Sequence, residues 1–122
     1  MKLQMDLEDI FVQIAQTQPD SQPTIILCDR GVMDGQEYTN DIVWQAILDE
    51  TGWSTIHLRE RRYEAVVHLV TAADGAEKFY STTSNEARYE SLKEAIDLDK
   101  RLINAWVGHP HFHIIPNLKA SF

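Results

Sequence analysis

Residues 24–31 decide the fold of this chain and read Thr-Ile-Ile-Leu-Cys-Asp-Arg-Gly. The first five form a continuous, largely apolar run that is β-branched at its start, and Pro23 and Pro19 bound it on the amino-terminal side. A strand buried on both faces has this composition, and such strands belong mainly to parallel sheets. The run therefore predicts a buried strand over 24–28 that ends at a charged, glycine-containing turn.

The rest of the chain alternates helical and strand patterns around this run. Apolar residues recur at helical spacing over 5–17, 36–50 and 86–106, and apolar strand patterns cover 65–70 and 112–115. Parallel strands need long connections that usually carry a helix, and both gaps between the predicted strands contain one. We therefore expect one α/β domain over residues 1–122 with a parallel sheet.

Local signals set the expected helix ends. Asp34 and Glu37 have the spacing of a capping box before the second helix, and Gly52 suits its carboxyl end. Gly108 and Pro110 end the long third helix.

Composition excludes several classes of protein. The chain has 122 residues, 43% of them hydrophobic, and a formal net charge of −8, which disfavours broad binding of nucleic acid or an anionic membrane. Cys28 is the one cysteine, so no internal disulfide forms. No apolar run is long enough to span a membrane, and the amino terminus has no apolar core of a signal peptide. We therefore expect a cytoplasmic protein.

Polar residues follow each predicted strand. Asp29, Arg30 and Gly31 follow the first, Asp74 follows the second, and Asn117 follows the third. In an open parallel sheet ligands bind beyond the carboxyl ends of the strands. We therefore expect these residues to lie at one edge of the sheet and to form the binding site.

Among these residues, the triplet Asp29-Arg30-Gly31 has the functional groups best suited to a binding or catalytic role. An aspartate after a buried strand can hold a Mg²⁺-bound water or accept a proton from an attacking hydroxyl. The arginine offers a fork of donors to phosphate oxygens, and the glycine lets the backbone approach a ligand closely. The alternative is that Asp29 caps a turn and Arg30 only neutralises it.

Four blocks of the sequence resemble one group of P-loop proteins. They are residues 26–34, 68–77, 86–90 and 106–111. The group is the NadR/TRPL-translocation-defect-like AAA domain, which is related to nucleoside and ribosylnicotinamide kinases. The similarity covers most of the chain, with the blocks in the family's order.

The resemblance implies a three-layer P-loop NTPase fold that binds ATP or GTP with Mg²⁺. Asp29 matches the acid that works near Mg²⁺ and the acceptor hydroxyl, while Arg30 and the lid residue Arg88 match arginines that hold phosphate. Gly31, Asp74 and Asn117 lie at positions expected to contact the nucleotide, with Asn117 next to the base-binding loop.

One departure from the family pattern is large. The phosphate loop G-x-x-x-x-G-K-[ST] is absent from these 122 residues, since none of the five glycines precedes a lysine. We therefore interpret the chain as a fragment without the amino-terminal strand, P-loop and first helix of the family, inactive alone. The family's central strand, which lies between the first two strands predicted here, is missing with them.

Two functions remain open. The first is a kinase-like nucleotide-binding domain, which needs an acceptor pocket near Asp29, Arg30 and Tyr38. The second is a non-catalytic regulator of membrane-protein trafficking that binds GTP and phosphoinositide, as the resemblance to animal members implies. The expected partners are a nucleotide and, for the second function, a phosphoinositide or a membrane protein, but no nucleic acid.

Three further features have both a functional and a structural interpretation. The alternating His109, His111 and His113 could hold a metal, although a structural role is favoured. The arginine cluster over 59–62 could contact a phosphoinositide, although a solvated surface is favoured. Asp99 falls on the apolar stripe of the long helix, so we expect it to pair with another element.

Overall fold

The computed structural model describes residues 1–19, 23–80 and 91–117, which form helices around a small sheet. The helices are α1 Lys2–Gln16, α2 Asp34–Glu37, α3 Asp41–Thr51, α4 Thr55–Glu60 and α5 Leu92–Trp106, and a 3₁₀ turn covers Glu77–Phe79. The strands are β1 Val66–Leu69 and β2 Phe112–Ile115.

The sheet confirms the predicted parallel pairing of two strands. β1 and β2 run parallel with Val66 opposite Phe112 and Leu69 opposite Ile115. The connection between them contains α5, as a parallel crossover requires. Within the described part of the chain the sheet has these two strands only, so the fold is a mixed helix and strand arrangement with an incomplete α/β sheet.

The predicted strand over 24–28 is wrong. The segment has no regular secondary structure, and the backbone of residues 24–28 makes no hydrogen bond to any other described residue. A strand exists only when a neighbouring strand accepts its backbone hydrogen bonds, and no described strand lies beside this segment.

The predicted helix over 36–50 is two helices with a break between them. The backbone leaves the helical conformation at Asn40, whose side chain accepts a hydrogen bond of 2.9 Å from the Val43 amide. Asparagine at this position stabilises the start of a new helix, α3, and so interrupts the periodic pattern. The end at Gly52 is confirmed, with φ of 70° closing α3 in the left-handed conformation.

The capping box predicted at Asp34 and Glu37 is also wrong. Met33 precedes α2 without a side-chain cap, and the Asp34 carboxylate instead accepts a hydrogen bond from the indole of Trp106. A capping box does form at α5, where Ser91 and Glu94 exchange hydrogen bonds with each other's backbone amides. The predicted start of the long helix at 86 lies outside the described residues.

Helix α1 confirms the predicted helix and extends it toward the amino terminus. Its apolar stripe does not face the core, because Leu7, Ile10, Phe11 and Ile14 are all exposed. No residue of α1 is buried, and the helix meets the core through the partly buried Met5.

The hydrophobic core includes the segment that follows the charged turn Asp29-Arg30-Gly31. It consists of a cluster of buried side chains drawn from this segment and from α3, α4 and α5: Val32, Met33, Trp44, Leu58, Ala105 and Trp106. The tryptophans at 44 and 106 are therefore core residues, as the sequence predicts.

Tyr63 connects this core to α1. Its hydroxyl accepts a hydrogen bond of 3.0 Å from the Val32 amide and donates to the Glu8 carboxylate. Arg62 binds the same carboxylate at 2.7 Å and Asp9 at 3.0 Å. Burial raises the pKa of the Tyr63 hydroxyl well above its usual 10.0, and the nearby charge of Glu8 raises it further.

We predict that Tyr63→Phe removes part of the alkaline loss of stability. The raised pKa means that Tyr63 stabilises the folded state fully below pH about 10, and that this contribution is lost as the pH rises above that value. Urea unfolding at a series of pH values would measure the free energy of unfolding of the wild type and of Tyr63→Phe.

At neutral pH the same variant should be less stable by about 1–3 kcal/mol, because the Val32 amide loses its acceptor. Tyr38→Phe, at an exposed tyrosine, is the control and should keep the alkaline loss of the wild type. An alkaline loss in Tyr63→Phe equal to that of the wild type would contradict the assignment.

Candidate functional site

The turn Asp29-Arg30-Gly31 follows the extended segment 23–28 at the surface. Asp29 and Arg30 are both exposed, and Arg30 has a φ of 67°. Among the described residues it is the one non-glycine residue in the left-handed region. Such a conformation costs about 1–3 kcal/mol, so other contacts must hold it.

Two side chains hold Arg30 in this conformation. Gln4 of α1 donates from Nε2 to the Arg30 carbonyl at 3.3 Å, and Arg30 Nη1 donates to the Tyr38 hydroxyl at 2.9 Å. The guanidinium carbon also lies 5.6 Å from the centre of the Tyr38 ring, which is a cation–π contact. Arg30 and Tyr38 are thus in contact, and the acceptor pocket expected beside them stays a prediction. Nothing in the sequence signals the contact with Gln4.

Gly31 is required for packing. A Cβ atom added at Gly31 would lie 2.3 Å from Cζ2 of Trp106 and 2.7 Å from its Cη2. The indole also donates from Nε1 to Asp34 at 2.6 Å and meets the Tyr63 ring edge-on at 5.6 Å between centroids. Glycine is therefore needed here for the close approach of the indole, and contact with a ligand stays a prediction.

A second polar cluster lies where β1 and β2 end. The Asn117 side chain donates from Nδ2 to the carbonyl oxygens of Val70 at 3.2 Å, Thr71 at 2.7 Å and Asp74 at 2.8 Å. Gly75 has a φ of 89°, and a Cβ there would contact Asn117 at 3.5 Å. Asn117 therefore ties the end of β2 to the turn after β1.

Asp99 pairs with another element, as predicted. It is buried on α5, and its Oδ1 lies 3.0 Å from His68 Nε2 and accepts a hydrogen bond of 3.0 Å from the Thr71 amide. The carboxylate thus fixes both the last residues of β1 and the start of the turn that Asn117 closes.

The structure joins the predicted site residues into two groups. Arg30 belongs with Tyr38 and Gln4, whereas Asp74 belongs with Asn117. No hydrogen bond or ion pair among residues 1–19, 23–80 and 91–117 links the two groups. Arg88 lies outside the described residues, so its role as a phosphate contact stays a prediction.

Two of the three alternating histidines have structural partners. His109 is buried and donates from Nε2 to the Tyr63 carbonyl at 2.9 Å, while its Nδ1 accepts the His111 amide at 3.0 Å. His111 Nδ1 donates to the Glu64 carbonyl at 2.8 Å. No group of three histidine, cysteine, aspartate or glutamate residues in the described ranges is placed to hold a metal ion.

The basic cluster is largely paired with carboxylates. Arg59 binds Glu60, and Arg62 binds Glu8 and Asp9. These pairs support the solvated-surface interpretation more than a site for a negatively charged headgroup.

Comparison with known proteins gives one family. The family model described as an AAA domain matches residues 1–121. No curated protein and no solved structure matches the chain. Among the described helices, none has the length and apolar character to cross a membrane.

We predict that Gly31→Ala destabilises the protein by about 1–3 kcal/mol, since the added methyl group overlaps the indole of Trp106. Chemical denaturation followed by tryptophan fluorescence would measure the change. Gly35→Ala is the matched control, because its methyl group would meet only the flexible end of Met1 at 3.1 Å. Equal stability of the two variants would show that the indole can move away at no cost.

We also predict that Asp99→Ala destabilises the protein by about 1–3 kcal/mol, because the Thr71 amide loses a buried acceptor. Hydrogen exchange should show the largest loss of protection in the turn over 71–75. Asp99→Asn retains a carbonyl oxygen for the Thr71 amide and should be affected less. A uniform loss of protection across the chain in Asp99→Ala would contradict this local role.

Proposed function

Because the chain belongs to the AAA domain family, we propose that this P-loop NTPase-like domain binds ATP or GTP through the Asp29-Arg30 turn. In this proposal the turn contacts the phosphates, as in the kinase-like members that the sequence resembles. Arg30 binds phosphate oxygens, and Asp29 takes one position on a Mg²⁺ ion that accompanies them.

The main support for this proposal is the strained backbone conformation of Arg30. Arg30 is exposed and has a φ of 67°, and residues held in such conformations cluster at functional sites. The guanidinium has five N–H donors, and the Tyr38 hydroxyl takes one of them. Its remaining donors suit the oxygens of a phosphate group.

The residues present fit one edge of a nucleotide site. Mg²⁺ is commonly bound by one or two carboxylates together with phosphate oxygens, and Asp29 supplies an exposed carboxylate next to Arg30. A triphosphate cradle further requires a loop of backbone amides and its lysine, which these 122 residues do not contain. No phosphoryl transfer step is therefore assigned, and we propose that the chain binds nucleotide weakly without turnover.

The alternative function is a GTP- and phosphoinositide-binding regulator of trafficking. The pairing of Arg59 and Arg62 with carboxylates gives the phosphoinositide part of this alternative no separate support. Nucleotide binding without turnover is common to both functions, so binding is the property to test first.

The test is titration of the chain with fluorescent ATP and GTP analogues, with and without Mg²⁺. Arg30→Gln should weaken binding by about tenfold, because a hydrogen bond to a charged group contributes about 1.5–3 kcal/mol. Asp29→Asn should abolish the increase in affinity that Mg²⁺ produces, with little effect in its absence.

Arg61→Gln is the matched control for charge, since Arg61 is an exposed arginine outside the turn's own residues. It should bind nucleotide as the wild type does. If Arg30→Gln and Arg61→Gln weaken binding equally, the effect is one of net charge and the assignment of Arg30 is wrong. Absence of saturable binding by the wild-type chain would overturn the proposal as a whole.

A further inference from the structure

His109 connects the turn that precedes β2 to the loop that precedes β1. Its Nε2 lies 2.9 Å from the Tyr63 carbonyl oxygen, and its Nδ1 lies 3.0 Å from the amide nitrogen of His111. The residue is only 5% exposed, so it meets both partners inside the protein. Both nitrogens of one buried ring are therefore occupied by backbone groups.

These two backbone partners fix where the His109 ring holds its hydrogen. A carbonyl oxygen can only accept a hydrogen bond, so Nε2 must be protonated, whereas a backbone amide can only donate, so Nδ1 must be bare. The contacts are thus those of the neutral ring in its Nε2–H form. A proton added at Nδ1 would set two N–H groups against each other and would leave the His111 amide without an acceptor.

The backbone of His111 also begins the sheet. Its carbonyl accepts a hydrogen bond of 3.0 Å from the Val66 amide, at the amino-terminal end of the parallel pair. At the other end the Val70 amide donates to the Ile115 carbonyl at 3.0 Å. The His109 ring therefore supports, through His111, one end of the pairing between β1 and β2.

The same ring packs on the core. It meets the Trp106 ring edge-on at 6.2 Å between centroids, and the His109 amide donates to the Trp106 carbonyl at 3.1 Å. The chain turns between these two residues at Gly108, whose φ is 107°. His109 thus contacts the side chain that packs against Gly31 of the charged turn.

The contacts of two other histidines are compatible with a second proton. His111 donates from Nδ1 to the Glu64 carbonyl at 2.8 Å, and a charged ring keeps this hydrogen bond. His68 lies 3.0 Å from the Asp99 carboxylate, and a charge on its ring strengthens the pair. Of these three histidines, His109 is the one whose contacts require the neutral ring.

The charged groups around His109 also oppose a proton on its ring. The Arg59 guanidinium lies against the neighbouring Gly108, where an added Cβ would be 3.0 Å from its Cζ. The His111 ring is 6.5 Å from the His109 ring and becomes charged on acidification. The Tyr63 hydroxyl stays uncharged because burial raises its pKa. The carboxylates on the surrounding elements have other partners or are exposed: Glu60 binds Arg59, Glu8 binds Tyr63 and Arg62, Asp34 binds the Trp106 indole, and Glu64 is exposed.

We propose that His109 is an acid-sensitive contact of the fold: protonation of its Nδ1 releases the His111 amide and loosens the amino-terminal end of the β1 and β2 pair. A histidine in an unfolded chain takes up its proton near pH about 6.5. The contribution of the neutral ring is therefore complete above that pH and is lost as the pH falls below it. The inference concerns the sheet and does not depend on nucleotide binding.

The test is NMR of the isotopically labelled chain at about pH 7.5 and about pH 5.5, a window in which Asp and Glu side chains, with ordinary pKa values of about 4, stay ionised. At the higher pH the ring shifts should show the Nε2–H form for His109 and the Nδ1–H form for His111. One pH unit below 6.5, an opened state that takes up the proton freely is favoured about tenfold over a closed state that does not. We therefore expect the hydrogen-exchange protection factors of the His111 and Val66 amides to fall about tenfold at the lower pH, while that of Val70 changes by less than about twofold.

His109→Asn and His111→Asn are matched variants. The Oδ1 of asparagine at position 109 can accept the His111 amide throughout this pH range, so the protection of the His111 and Val66 amides should no longer depend on pH. At position 111 the asparagine amide can donate to the Glu64 carbonyl in place of the ring. This variant should keep the wild-type pH dependence at Val66.

An Nδ1–H form of His109 at the higher pH would overturn the proposal, and so would a protonated His109 ring with unchanged protection of the His111 amide. Equal loss of protection at Val66 and Val70 would indicate general acid unfolding and would also overturn it. The same holds if His109→Asn retains the wild-type pH dependence. If His109→Asn does not fold, the ring shifts and the protection factors of the wild-type chain decide the proposal.

Discussion

The close packing of the Trp106 indole against the backbone of Gly31 is the contact on which the rest of the structure depends. Trp106 ends α5, and its side chain contacts the charged turn, Asp34 of α2 and Tyr63. Tyr63 in turn carries the contact to α1 through Glu8. If the indole could not approach the backbone at Gly31, the segment that supplies Val32 and Met33 to the core would lose a packing contact and depend more on the hydrogen bond from the Val32 amide to Tyr63.

The sheet, by contrast, stabilises only part of the molecule. Its two strands satisfy each other along one edge, no other strand of the described ranges pairs with their outer edges, and the extended segment 24–28 stands apart from them. The family resemblance implies a further strand between this segment and β1, and a groove lies at that place. The stability of the described part therefore comes mainly from helices packed on the buried cluster, which is why tryptophan and tyrosine contacts matter more here than the ladder of β1 and β2.

The end of α3 at Gly52 was predicted correctly because it needs only one left-handed residue. The strands β1 and β2 were predicted correctly because each apolar run finds its partner in the other. The strand over 24–28 failed because strand formation depends on a partner that the run itself does not contain. The break at Asn40 was missed because the helical period continues through it, and α4 was missed because six residues give too short a pattern.

In the candidate site, too, some features could be predicted from the sequence and others could not. The pairing of Asp99 could be predicted because a carboxylate on an apolar stripe needs a partner, although the sequence does not say that the partner would be His68 and the Thr71 amide. The packing role of Gly31 could not be predicted, because it depends on a side chain 75 positions later in the chain.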